Sequence, residues 1–162
     1  MALNSYANLT VNGTELTGDT SIGVIGGEDV SSGHIEVFEV RWGSVMPPAG
    51  AARGRLEMQP VVLTKRVDQT TPLLYQAMAS NGVIMGTVKL FDTHPDSGET
   101  RLRFTLTLGK GRVQSIASCS PDGLDPAMAS RPAREVVTIS VSSLTYADVV
   151  GSTEYTQDIT GR

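Results

Sequence analysis

The sequence predicts a mainly β chain, a two-sheet β-barrel or sandwich with one short flanking α-helix at about Pro72 to Ser80. Three observations carry that expectation. The chain holds 17 valines and 17 threonines, residues that suit a pleated, half-buried surface. Its 17 glycines and 8 prolines break it at short intervals, as turns between strands require. Near its middle, Leu102, Phe104, Leu106 and Leu108 alternate with Arg101, Arg103, Thr105 and Thr107, the period-2 pattern of a sheet with one buried and one wet face. At 162 residues, 40% hydrophobic and 19% charged, the chain has the size and composition of one folded domain spanning residues 1–162.

The elements follow in order. Tyr6 to Val11 is a strand ended by Asn12-Gly13, a pair that tolerates positive φ in a tight turn. Thr14 to Gly33 reads mostly as loop, and its Gly23-Val24-Ile25-Gly26-Gly27 cluster reads as turn chemistry, because no strand-to-helix context makes it a phosphate cradle. In His34 to Trp42, Ile35 and Val37 give way to Phe38, Val40 and Trp42, a phase change that predicts a bulge or burial on both faces. Gly43 to Gly54 is nearly uncharged and rich in Pro, Gly and Ala, and is expected to be a flexible loop. Leu56 to Val67 returns to strand, with Pro60 at an edge or bulge.

Thr71 as cap, Pro72 in the first turn and Asn81-Gly82 at the end delimit the helix. Leu73, Leu74, Ala77 and Met78 form its apolar stripe, which must dock on a sheet because so short a helix is marginal alone. Then come a strand from Val83 to Phe91, a turn through His94 to Gly98, a strand from Thr100 to Leu108, a turn at Gly109-Lys110-Gly111 and a strand from Arg112 to Ser118. After a loop from Ser120 to Ala133, one long strand is expected from Glu135 to Tyr146, with Val137, Ile139 and Val141 on one face, and the polar tail 148–162 is expected to fray.

Composition excludes several function classes. A net charge of −4 with dispersed basic residues lacks the attraction that gathers a phosphate backbone, so no nucleic-acid partner is expected. No apolar run exceeds three residues, against roughly 20 for a membrane span and about 7 to 15 for the apolar part of an export signal. Neither membrane insertion nor a signal peptide is expected, and the single Cys119 fits a reducing compartment.

No enzymatic site is expected either, because the only histidines, His34 at a strand start and His94 in a turn, have no nucleophile in evident reach. His94 with Asp92 and Asp96 lacks a fourth ligand, so neither a metal nor any cofactor is expected. Cys119 reads as a small buried hydrophobe and Trp42 as core. The sequons Asn8-Leu9-Thr10 and Asn12-Gly13-Thr14 carry no meaning in a chain that is not exported by a signal peptide. Lys65, Arg66 and Asp68 read equally as assembly residues or as an ordinary solvated strand end.

The segment from Thr64-Lys65-Arg66-Val67-Asp68 through Thr71-Pro72-Leu73-Leu74 to Asn81-Gly82 resembles the strand-to-helix signature of the haemolysin-coregulated protein (Hcp) family, the tube proteins of type VI secretion systems. The family motif falls on Thr64, Lys65, Asp68, Pro72 and Leu74, and the resemblance extends to Tyr6–Gly18, to Arg41-Trp42-Gly43 and to Val137–Tyr146. It implies a barrel with a flanking helix that forms homohexameric rings, stacked into a hollow tube that carries effector proteins in its lumen. Sheath, baseplate and spike components are the further partners it implies. It also implies a bacterial cytoplasmic protein, secreted without a signal peptide, and the short tail after the last strand implies a plain tube subunit without a fused toxin domain. For assembly contacts the candidates are Lys65, Arg66 and Asp68, with Met46, Pro47, Pro48, Ala49, Gly50, Ala51 and Ala52 of the neutral loop. The tail-tube protein of a phage or extracellular contractile particle remains an alternative, and so does a stand-alone β-barrel binding module or small hydrolase.

Overall fold

Strands account for most of the chain, as the alternating pattern predicts. The computed structural model describes residues 3–31, 33–48 and 56–159. In order they form β1 (Ser5–Val11), β2 (Thr14–Glu15), β3 (Val24–Ile25), β4 (Glu28–Asp29), β5 (His34–Arg41), β6 (Ser44–Val45), β7 (Glu57–Met58), β8 (Val61–Arg66), α1 (Thr71–Ala79), β9 (Ile84–Thr93), β10 (Thr100–Cys119), β11 (Arg134–Ser140), β12 (Ser143–Asp148) and β13 (Thr153–Asp158).

The main sheet runs β11-β8-β5-β1-β9-β10 and closes on itself, because β10 also pairs with β11. All of these pairings are antiparallel. A ribbon of β12 and β13 extends from the N-terminal half of β10 as a wing. The barrel is filled by inward residues of every wall strand, among them Leu9, Ile35, Leu63, Val88, Leu106 and Ile139, and Leu74 and Ala77 of α1 join the same core. A smaller cluster of Tyr6, Val30 and Phe91 lies apart from it. There Tyr6 and Phe91 meet edge to face at 6.0 Å, and burial pushes the Tyr6 phenol up.

Several local expectations hold for the reasons given. The phase change in β5 is a register shift between Val37 and Glu39 against β8, which turns the strand's apolar set over. The glycine cluster is the hairpin turn between β3 and β4, with Gly26 and Gly27 at φ 56° and 82°, a conformation that favours glycine. Helix α1 ends in a Schellman motif: Gly82 N–H donates to Ala77 O and Asn81 N–H to Met78 O, while Asn81 takes the left-handed position at φ 54°.

Other expectations need correction. Gly109-Lys110-Gly111 is not a hairpin turn: β10 runs through it from Thr100 to Cys119. The irregular register between Leu108 and Gly111 against β9, with Lys110 at φ 50°, is a bend at which the strand passes from lying between β9 and β12 to pairing with β11. The expected long strand from Glu135 is two strands, interrupted at Val141-Ser142 opposite that bend. The tail does not fray throughout, because Thr153–Asp158 is a strand paired with β12. Pro60 splits the expected strand from Leu56 into β7 and β8. The N-cap position is Thr70 rather than Thr71, its hydroxyl donating to Asp68 instead of capping the helix, and Leu73 points away from the core at 43% exposure. Of the loop expected at 43–54, Ser44–Val45 pairs with Glu57–Met58, and residues 49–54 lie outside the described residues.

Candidate assembly surfaces

The strand-to-helix segment turns inward. The Lys65 side chain is only 1% exposed, and its ammonium donates to Glu135 Oε1 at 2.7 Å, Asp68 Oδ1 at 2.9 Å and Arg66 O at 2.7 Å. All three of its donors are thereby used. Asp68 Oδ1 also accepts from the Thr70 N–H at 2.9 Å and from the Thr70 hydroxyl. Glu135, fully buried on β11, accepts from Thr71 at 3.0 Å through Oε1 and from Ser118 of β10 at 3.2 Å through Oε2. Ser118 in turn meets the Tyr75 hydroxyl at 3.1 Å. One network thus joins the end of β8, the start of α1, β11 and β10.

Its chemistry is that of a fastener. A buried cation with two carboxylates adds little net stability, because desolvation offsets the Coulomb attraction, but removing one partner strands a charge. The expectation of a solvated strand end is therefore corrected for Lys65 and Asp68, and neither side chain is accessible for contact with another subunit. The partner that explains Lys65, Glu135, lies 70 residues away, a separation at which sequence carries no signal. Arg66 does face outward at 50% side-chain exposure, 3.7 Å from Glu36 and 6.0 Å over the Phe38 ring. In the family motif Thr64 is half-buried beside Lys65 on β8, Pro72 is exposed in the first turn of α1, and Leu74 is core.

The outward surface is concentrated elsewhere. Val45 and Met46 are 43% and 61% exposed, followed by half-buried Pro47 and exposed Pro48. Ala49, Gly50, Ala51 and Ala52 lie outside the described residues. A cleft of about 400 Å³ lined by Leu56, Glu57, Met58 and Ile159 opens where the chain leaves this loop. On β13 every residue but Gln157 is exposed, and Tyr155, 63% exposed, stacks on Tyr146 at 6.5 Å. The C-terminal half of β10 is likewise exposed, except for the half-buried Ile116, from Gln114 to Cys119.

The chemically versatile residues are dispersed. His34 is buried at the start of β5, whereas His94 sits in the β9–β10 turn and accepts the Asp96 and Ser97 N–H groups at its Nδ1. Asp92 is taken by Arg101, with contacts of 2.8 and 3.3 Å. That hydrogen bond from Arg101 holds the Asp92 carboxyl below its ordinary value. Among the described residues no three His, Cys, Asp or Glu side chains converge in a way that would hold a metal ion. Cys119 is exposed, not buried as expected, and Trp42 is 38% exposed while stacked on Phe104 at 6.1 Å.

With this geometry in view, comparison with known proteins is decisive. Residues 14–149 match the family model described as type VI secretion system effector, Hcp. The chain belongs to the Hcp family. Solved Hcp structures share its fold across nearly the whole length. The crystal structure of one Hcp protein superposes with a TM-score of 0.81 at 19% identity, covering 96% of this chain and 99% of the other. An Hcp1 variant from E. coli EAEC 042 gives 0.79 at 18% identity over 97% and 99%. The secreted protein Hcp3 from Pseudomonas aeruginosa gives 0.73 at 18% identity over 96% and 97%. No curated protein matches by sequence. Hcp proteins are structural components of type VI secretion, and among the described residues no helix of this Hcp chain is long and apolar enough to cross a membrane.

Proposed function

We propose that this chain is a subunit of the type VI secretion inner tube: it closes into hexameric rings that stack, carry effector proteins in the lumen and leave the cell with them, without a signal peptide. The observation that carries the reading is the family match across residues 14–149, on a closed barrel whose open strand edges lie outside it. Self-association suits such edges, since an unpaired ladder is a template for another chain. The role is structural rather than enzymatic, with neither cofactor nor metal. Sheath, baseplate and spike components are its partners in the machine.

In this reading Met46 to Ala52 contribute to stacking between rings, where Met46 and its small, uncharged neighbours allow close approach, and of Lys65, Arg66 and Asp68 it is Arg66 that is exposed enough to touch another subunit. The test is mass. The purified chain should run near six times 17.1 kDa by light scattering, and a monomer at every concentration would refute the ring. Deleting Met46 to Ala52 should leave rings intact and prevent end-to-end stacking at high concentration, as scored by electron microscopy.

A further inference from the structure

The buried network beneath α1 has the composition of a reaction centre as well as of a fastener. Lys65 and Glu135 are direct cross-strand partners on β8 and β11. Their side chains, 1% and 0% exposed, meet at 2.7 Å between Nζ and Oε1. An amine and a carboxyl fixed in this way stand at an effective concentration far above any reached in solution. The form that reacts is the neutral one, an amine beside an acid, reached by passing one proton across the contact. Exclusion of water favours that form, because water is what stabilises the separated charges. The molecule carries its own control: Lys89 and Glu28 lie at a similar 2.9 Å, but at 20% and 37% side-chain exposure they remain in contact with water.

The groups around the buried pair are those that a condensation needs. Asp68 Oδ1 lies 2.9 Å from Nζ and also accepts the Thr70 N–H and hydroxyl, donors that stay in place whatever happens to the ammonium. It is placed as the base for a proton on Nζ. On Glu135, the Thr71 hydroxyl donates to Oε1 at 3.0 Å, where negative charge gathers as an amine adds to Cδ. The Ser118 hydroxyl donates to Oε2 at 3.2 Å and meets the hydroxyl of exposed Tyr75 at 3.1 Å. That chain of hydroxyls leads from the oxygen that would depart towards solvent.

We propose that Lys65 and Glu135 condense into an intramolecular isopeptide bond that staples β8 to β11. The Nζ lone pair adds to Cδ of the protonated carboxyl, and Asp68 removes a proton from Nζ. The Cδ–Oε2 bond then breaks as Ser118 delivers a proton to the departing hydroxyl, and the proton on Asp68 is passed on to restore the relay. Net, an ammonium and a carboxylate become an amide and one water: one C–N bond forms, one C–O bond breaks, and nothing is oxidised or reduced. The amide retains an N–H for Asp68. This is a single event in each chain rather than turnover, and it joins residues 70 apart at the strand that completes the barrel. It concerns one subunit and stands or falls independently of ring formation.

Mass spectrometry of the full chain tests it. After incubation in the folded state the parent should weigh one water, about 18 Da, less than its sequence. Trypsin does not cut after an acylated lysine, so the digest should contain residues 56–66 joined to residues 135–162 as one branched peptide. Lys65→Arg keeps the positive charge but forms no such amide and should retain the full mass, and Asp68→Asn should slow conversion at least about tenfold. A folded parent that keeps its full mass overturns the proposal. So does a lost water without that branched peptide, which would place the dehydration at Asp68 or elsewhere. The parent carries no substitution, so the decision does not depend on whether either variant folds.

Discussion

The barrel end beneath α1 and the wing of β12 and β13 treat polar groups in opposite ways. Beneath α1, a lysine and two carboxylates are taken out of water and satisfied completely by one another, by hydroxyls and by backbone. On the wing, glutamate, threonine and tyrosine remain in water along an edge whose backbone groups have no strand partner among the described residues. The first region ties the end of β8, the loop before α1 and β11 together within one subunit, with α1 joined to it through the Thr71 hydroxyl. The second leaves a ladder edge hydrogen-bonded to water, which another strand can replace. A residue's charge therefore says little about its role here until its burial is known.

Substitutions can break the comparison, beginning with the largest effect. Lys65→Met leaves Asp68 and Glu135 buried without their cation and should cost about 3 to 5 kcal/mol in urea unfolding; a loss below 1 kcal/mol would show that the network is solvated. Leu74→Ala, 1% exposed in the same region, should cost about 2 to 5 kcal/mol, while Leu73→Ala, one position away and 43% exposed, should stay within roughly 0.5 kcal/mol. Equal losses at the two positions would place the helix in a different rotation.

A weaker effect belongs to the Asp92–Arg101 pair. Because the folded-state carboxyl lies below its ordinary value, its contribution is present above about pH 4, the unfolded value, and is lost as pH falls through the lower folded one. Asp92→Asn should flatten the acid side of the stability profile and leave the neutral side nearly unchanged; a shift confined to alkaline pH would contradict the pairing. The smallest effect on stability, within about 0.5 kcal/mol, is expected for Glu154→Arg on the wing. A loss above about 1 kcal/mol would show that Glu154 has a partner within the folded chain.

The sequence made the barrel legible and the wing obscure, for physical reasons. Alternation announced the wall strands because one face is buried, and the phase change at Phe38 marked a bulge because an inserted residue turns every later side chain over. Proline and asparagine-glycine bracketed α1 within a residue or so. Strand β13 escaped notice because its residues are exposed on both faces, which leaves no hydrophobic period to read. The bend at Lys110 passed for a hairpin, since glycines flanking a positive φ look alike whether the chain reverses or continues. Lys65 read as surface because lysine usually is, and nothing local points to Glu135. The motif was thus visible as a family resemblance, whereas the network that explains it depends on a contact across the sheet.

Strand β11 closes the barrel by pairing with β8 on one side and β10 on the other, and this has a consequence for synthesis. Until Ser140 has left the ribosome, β8 and the second half of β10 both lack a neighbour, so the nascent chain is an open sheet with its core half exposed. At about 5 to 20 residues per second, the 21 residues from Cys119 at the end of β10 to Ser140 at the end of β11 take about 1 to 4 s to add.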